Sequence, residues 1–170
     1  MSKDHFQLTV VEAFTEYRLR LSYTDGQSFE VDLGEWIDNT KALHALKNLA
    51  LFAQAKVGFA GRTVDWIEDE LDLATDNLRN LAIEQSGGIG HERIWNWLHE
   101  TGLTLEQAAE ALGISRRMLI YYRDGEKPIP RSIWLGSCRA HGTQFTSAHS
   151  FGPRIRHVAR LSVGQRNAIR

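Results

Sequence analysis

Arg116 and Arg117 follow Ser115 directly, and Tyr121 comes four residues after Arg117. Counting from Ser115, these are the second, third and seventh positions of a helical segment. Helical spacing turns all three away from Leu119 and Tyr122, which a core would claim. Paired guanidinium groups on the first turn of a helix suit nucleic-acid recognition. The planar fork can bond guanine O6 and N7 together, or it can hold a phosphate oxygen. The plain alternative is a solvated surface pair.

Other chemistry finds little support. The acidic run Asp65, Glu68, Asp69, Glu70, Asp72 and Asp76 invites a metal or acid–base reading. Carboxylates also belong at helix N-termini and on solvated faces, however. No histidine, cysteine or glycine-rich phosphate loop accompanies the run, and its expected effect is to repel DNA from this part of the chain. His91 and His99 lie two helical turns apart, too far to share a metal unaided. Cys138 is the single cysteine, so it has no disulfide partner within the chain and completes no zinc spacing. No nucleophile-elbow motif announces a Ser/His/Asp triad. No catalytic, metal-binding or cofactor-binding residue is therefore assigned, and the chain reads as a non-enzyme.

Around the arginines the sequence punctuates helices clearly. Thr104-Leu105-Glu106-Gln107 is a capping box. Ala108, Ala109 and Leu112 form a narrow apolar strip that lets another helix approach closely. Gly113 ends that helix, Ile114 plugs the turn, and Ser115 starts the next one. Asp124-Gly125 closes it, and Pro128 and Pro130 prevent continuation. Helix, three-residue turn with glycine, second helix is the helix-turn-helix pattern. A preceding helix is expected over 92–100, with Ile94, Trp95 and Leu98 on one face. Trp95 and Trp97 cannot both face one core.

Further upstream the period changes. Leu8 and Val10, then Tyr17, Leu19, Leu21 and Tyr23, keep the two-residue period of half-buried strands. Asp25-Gly26 reads as a hairpin turn before Phe29, Val31 and Leu33. A helix is expected near 40–48 with Leu43 and Leu46 on one face. Residues 55–59 and 63–67 read as a second hairpin around Ala60-Gly61-Arg62. A last helix is expected from Asp72 as its cap, carrying Leu78, Leu81 and Ala82 inward. Gly87, Gly88 and Gly90 follow Ser86 as a linker that would let two domains move.

Two resemblances follow from these residues. Val31-Asp32-Leu33, Leu46, Phe52, Val57, Gly61, Trp66 and the string Asp72-Leu73-Ala74-Thr75-Asp76-Asn77-Leu78 resemble the bacterial domain-of-unknown-function family 2442, over 6–82. That resemblance implies a fold and supplies no catalytic residue; such domains occur alone, beside toxin-like genes, or fused to a DNA-binding domain. Ala109, Leu112-Gly113-Ile114-Ser115, Leu119 and Gly125 fall at the spacings of phage-repressor and Cro-type DNA-binding domains, over 104–128. That resemblance implies that residues around Ser115, Arg116, Arg117 and Tyr121 reach base edges in the major groove. Thr104 and Lys127 complete the candidate DNA-binding set. Leu105 stands where the family commonly has a phosphate-binding glutamine, and Arg123 replaces a common glutamate.

The charge distribution fits this division. The 170 residues carry a net charge of −1. Residues 1–86 hold 8 Lys/Arg against 15 Asp/Glu, 87–135 hold 6 of each, and 136–170 hold 6 arginines and no acid. The last stretch also contains His141, His149 and His157, and its apolar periodicity vanishes. It reads as a basic arm or as the product of an out-of-frame extension. No run of about 20 apolar residues exists, since Lys47, Asn48, Gln54 and Lys56 break 42–61. The N-terminal Asp4 stands against a signal peptide.

The expected fold is α+β: a small N-terminal α/β-hairpin domain over 1–86, an all-α repressor-like helix-turn-helix domain over 87–135, and a basic tail over 136–170. The expected function is that of a cytoplasmic transcriptional regulator binding double-stranded DNA, as a homodimer joined through the N-terminal domain. The alternative is a protein-interaction or antitoxin-like module with a toxin-like protein partner, in which the helix-turn-helix serves dimerisation or partner binding.

Overall fold

The computed structural model describes residues 4–67 and 70–140. Among the described residues, six strands and seven α-helices make an α+β fold. The first half holds β1 (Leu8–Phe14), β2 (Arg18–Tyr23), β3 (Ser28–Asp32), α1 (Gly34–Asn39) and α2 (Leu49–Phe52). It continues with β4 (Lys56–Val57), β5 (Thr63–Ile67), β6 (Leu71–Ala74) and α3 (Thr75–Gln85). Four helices follow: α4 (His91–Thr101), α5 (Leu105–Leu112), α6 (Arg116–Arg123) and α7 (Arg131–Ala140). The strands form two antiparallel sheets, ordered β1-β2-β3 and β4-β5-β6.

Both expected hairpins are present. Asp25-Gly26 turns between β2 and β3, with Gly26 at φ 81 and Asp25 Oδ1 accepting the Gln27 N–H at 3.0 Å. In β1 the alternation slips. The pairing register shifts between Leu8 and Val10, so Leu8 is buried while Val10 is 46% exposed. A bulge moves every later side chain to the opposite face, and Val11 and Ala13 take the inward positions expected of Val10.

Two other expectations change. Leu43 and Leu46 are buried together, but on a 3-10 helix over Lys41–Lys47. Three residues per turn eclipse positions three apart, so their spacing fits that helix better than an α-helix. Asp72 does not cap the last helix of this half. Residues 71–74 are strand β6, in which Leu71 and Leu73 are buried at a period of two, and Asp72 pairs with Asp65. Helix α3 starts at Thr75 and carries Leu78 and Ala82 into the core.

The two hydrophobic clusters are distinct. The first gathers both sheets, α1 and α3 around Leu19, Leu21, Ile37, Val64, Trp66 and Leu78. The second gathers α4 to α7 around Ile94, Trp97, Ala108, Ala109, Leu119, Tyr122 and Ile129. Of the tryptophan pair, Trp97 is buried and Trp95 is 44% exposed, so Trp97 takes the inward place expected of Trp95. Helix α7 runs through position 135 and buries Ser137 completely, so regular structure continues five residues into the stretch read as a tail. Residues 141–170, with their histidines and arginines, and Glu68 and Asp69 of the acidic run lie outside the described residues.

The glycine run ends α3 as expected, with Gly87 at φ 84, but it is pinned rather than loose. The Gly88 N–H donates to Ile83 O at 2.9 Å and the Gly90 N–H to Glu84 Oε1 at 2.8 Å. Arg93 of α4 forms an ion pair with the same Glu84. Asn80 Oδ1 accepts the Glu92 N–H at 3.1 Å, and Arg131 Nη2 donates to Gly87 O at 3.1 Å. The N-terminal segment adds a further tie, with Phe6 against His91 at 5.2 Å between ring centroids.

Candidate nucleic-acid interface

Helix α5 is set by its ends. The Thr104 Oγ1 accepts the Gln107 N–H at 3.2 Å, and Gln107 Oε1 accepts the Thr104 N–H at 3.0 Å. A cap of this type contributes about 1 kcal/mol. Gly113 closes the helix at φ 65, a left-handed conformation that costs glycine little. Ala108 and Ala109 are buried, and their small side chains let α6 pack directly across α5.

Helix α6 begins after the three-residue turn 113–115. Ser115 Oγ accepts the Met118 N–H at 3.2 Å. Leu119 and Tyr122 enter the second core, while Ser115, Arg116 and Arg117 stay exposed. The packing that fixes the helix therefore also fixes which residues face outward.

The outward residues divide into two groups. Arg117 Nε donates to the Tyr121 hydroxyl at 2.6 Å, and its guanidinium carbon lies 5.4 Å from the Tyr121 ring centroid. Lys127 Nζ lies 5.1 Å from the same ring. The turn after α6 delivers it there, because the N–H groups of Glu126 and Lys127 both donate to Tyr121 O, at 2.9 and 3.3 Å. Arg116 instead pairs with Glu106 of α5, Nε to Oε1 at 2.6 Å. Of the six candidate residues, Arg117, Tyr121 and Lys127 thus meet at one place. Arg116 turns to the neighbouring helix, and Thr104 and Ser115 act as caps at two helix N-termini.

The two departures from the repressor pattern have structural uses. Leu105 is half-buried and packs on the second core. Arg123 grips Asp124 through two bonds, Nε to Oδ1 at 2.8 Å and Nη2 to Oδ2 at 3.0 Å, and lies over the Trp95 ring at 5.1 Å. Its bonds to Asp124 raise its pKa, with burial opposing them. The Asp124 carbonyl accepts from His5 Nε2 at 3.0 Å. Gly125, at φ 70, sits so close to Phe6 that a β-carbon there would lie 2.8 Å from Phe6 Cζ.

Sequence reasoning missed Glu106 and the anchoring group around Arg79. Arg79 is buried on α3, with Nη2 donating to Asp25 Oδ2 at 2.7 Å and Nη1 to His5 O at 2.5 Å. It lies over the rings of Tyr23, Phe29 and Phe6 at 4.9, 5.1 and 5.9 Å. Burial pushes the Tyr23 hydroxyl far above its usual range, against the pull of Arg79. The available signal was a cation between Leu78 and Ala82, on the apolar face of a helix. Among the described residues, no group of three or more His, Cys, Asp or Glu could hold a metal ion. None of the described helices is long and apolar enough to cross a membrane.

These features define an α+β protein with a mixed sheet-and-helix front and a four-helix rear whose helix α6 presents arginines outward. No family model matches the chain, and no curated protein does either. Among solved structures it is similar to the crystal structure of "Putative DNA Binding Protein NE0471" from Nitrosomonas europaea ATCC 19718. The two share 40% sequence identity with a TM-score of 0.71, over 77% of this chain and 83% of that one. The chain belongs to the family of that protein.

Proposed function

We propose that this protein binds double-stranded DNA sequence-specifically and regulates transcription, without catalysing a reaction. The observation that carries the reading is the sidedness of α6. Leu119 and Tyr122 face inward, while Arg116 and Arg117 remain exposed on its first turn. An α-helix fits the B-DNA major groove, where arginine can take both guanine acceptors. The name of the Nitrosomonas europaea relative points the same way. In this reading α5, the turn 113–115 and α6 act as a helix-turn-helix. Arg117 is the first base reader and Arg116 the second, with Tyr121 packing at the groove, Lys127 on a phosphate, and Thr104 and Ser115 at the backbone.

The protein acts as a cytoplasmic homodimer joined through its front half, because one such unit reads only a few base pairs and paired half-sites sit about 34 Å apart. Exposed Leu49 and Phe59, the latter 88% exposed, offer apolar contact area in that half. The same side chains favour the second reading, an antitoxin-like module that docks a toxin-like protein there.

Selection of bound sequences from random duplex DNA at stated salt tests the proposal. A two-fold symmetric motif, with a dimer in sedimentation, is expected. Absence of any enriched motif, with the chain folded, overturns sequence-specific regulation and leaves the interaction module.

A further inference from the structure

The two arginines of α6 are not equivalent. Arg116 has its Nε on Glu106 of the neighbouring helix. Arg117 has its Nε on the hydroxyl of Tyr121 of its own helix, one turn further along. Resting on the DNA-reading proposal above, we infer that Tyr121 is a positioning residue that holds Arg117 for guanine, making Arg117 rather than Arg116 the specificity-determining side chain.

The guanidinium offers two donor edges. With Nε given to the Tyr121 hydroxyl, the edge formed by Nη1 and Nη2 is not engaged by that bond, and the side chain is exposed. That edge presents two parallel N–H donors, the pattern that guanine O6 and N7 accept. A free arginine side chain must be ordered on binding, which subtracts from affinity. The hydroxyl bond and the contact of the cation with the ring place part of that ordering in the unbound protein. Lys127, held near the same ring by the turn after α6, is a compact point charge suited to a phosphate rather than a base edge. Tyr121 is therefore the hub around which one base-reading and one phosphate-binding cation are set. Glu106 supplies a carboxylate to Arg116 that competes with base or phosphate for its donors.

The test uses the full chain and three duplexes: the selected sequence, the same sequence with 7-deazaguanine at the contacted guanine, and a random sequence. Replacing N7 by carbon removes one acceptor and leaves the shape of the base. Wild-type protein is expected to lose about tenfold in affinity on the deaza duplex. Tyr121→Phe keeps the ring and removes the hydroxyl. It should weaken binding to the selected duplex by about five- to tenfold, leave random duplex unchanged, and shrink the deaza penalty. Arg117→Lys, which keeps the charge and loses the fork, should show the same pattern, and adding Tyr121→Phe to it should change nothing further. Arg116→Ala should leave the deaza penalty intact.

A Tyr121→Phe protein that discriminates the duplexes as wild type does, or that weakens equally on all three, overturns the positioning role. Loss of the deaza penalty in Arg116→Ala overturns the division between the arginines. A selected motif that contains no guanine overturns the inference while leaving DNA reading intact. If the folded wild-type chain binds no duplex at all, the proposed function falls and this inference falls with it.

Discussion

Replacing Asp25 by asparagine should destabilise the front half by about 2–3 kcal/mol, because it leaves the Arg79 cation buried without its counter-charge. The Arg79 side chain is only 6% exposed, and its Nη2 lies 2.7 Å from the carboxylate. Two unit charges about 4 Å apart interact by about 4 kcal/mol at an effective dielectric of 20. The Asp25 side chain is 24% exposed, so solvent screens part of this and the lower figure follows. Asparagine is the informative substitution because its amide oxygen can still accept the Gln27 N–H, which Asp25 Oδ1 accepts at 3.0 Å. The turn is thereby kept while the charge is removed. Burial pushes the Asp25 carboxyl upward, but the Arg79 and Gln27 hydrogen bonds and the Arg79 charge outweigh it, so its pKa is lowered in the fold. A carboxyl lowered in the folded state contributes fully above its unfolded value of about 3.9 and loses that contribution as pH falls through the folded value. Urea denaturation followed by tryptophan fluorescence should therefore show a constant gap between wild type and Asp25→Asn from neutral pH down to about 4, closing below it. A gap under about 0.5 kcal/mol at pH 7 would refute the reasoning, since that is the ordinary scatter of surface substitutions.

Two further outcomes test how the halves are joined. Gly125→Ala should cost more than Gly102→Ala although both have positive φ, about 2 against about 1 kcal/mol, because a β-carbon at 125 meets Phe6 and one at 102 meets nothing within 4 Å; equal melting temperatures for the two variants would show that the Phe6 contact is slack. Glu84→Ala removes the acceptor for both the Gly90 N–H and the Arg93 side chain, so amide exchange at Gly90 should quicken by at least about tenfold while the β2 amides are unchanged; unchanged exchange at Gly90 would mean that Glu84 does not hold the connection.

What the sequence revealed depends on the range of the forces involved. The α5–turn–α6 unit was legible because its determinants are local: a capping box, one left-handed glycine and an inward pair three residues apart. The contact of Arg117 with Tyr121 follows from the same four-residue helical spacing. By contrast, the Glu106–Arg116 pair crosses two helices, and Lys127 reaches Tyr121 only through the path of a turn. Neither has a sequence period. The strand β6 was hidden because Leu71, Leu73 and Leu78 satisfy a helical and an extended reading over so short a stretch. In β1 a single bulge reversed Val10, and a bulge leaves no mark in alternation. Arg79 was overlooked because a buried cation is legible only through its partners, and these come from residues 5, 25 and 27, over fifty positions away.

Those partners bear on how the front half can influence helix α6. Arg79 holds the backbone of His5, the His5 ring holds the carbonyl of Asp124, and Phe6 packs against the place of Gly125. Asp124 and Gly125 are the residues that follow α6 and lead to Lys127. The chain of contacts therefore runs from the hairpin turn at 25–27, through a buried guanidinium, to the turn that sets Lys127 beside Tyr121. A change in the front half that displaces the 5–6 segment acts first on this turn, and only through it on Arg117. The packing of α6 on α5 stands apart from that route, since Leu119, Ala108 and Ala109 belong wholly to the second cluster. Coupling by this path would alter the placement of the outward cations while leaving the helix pair that carries them intact.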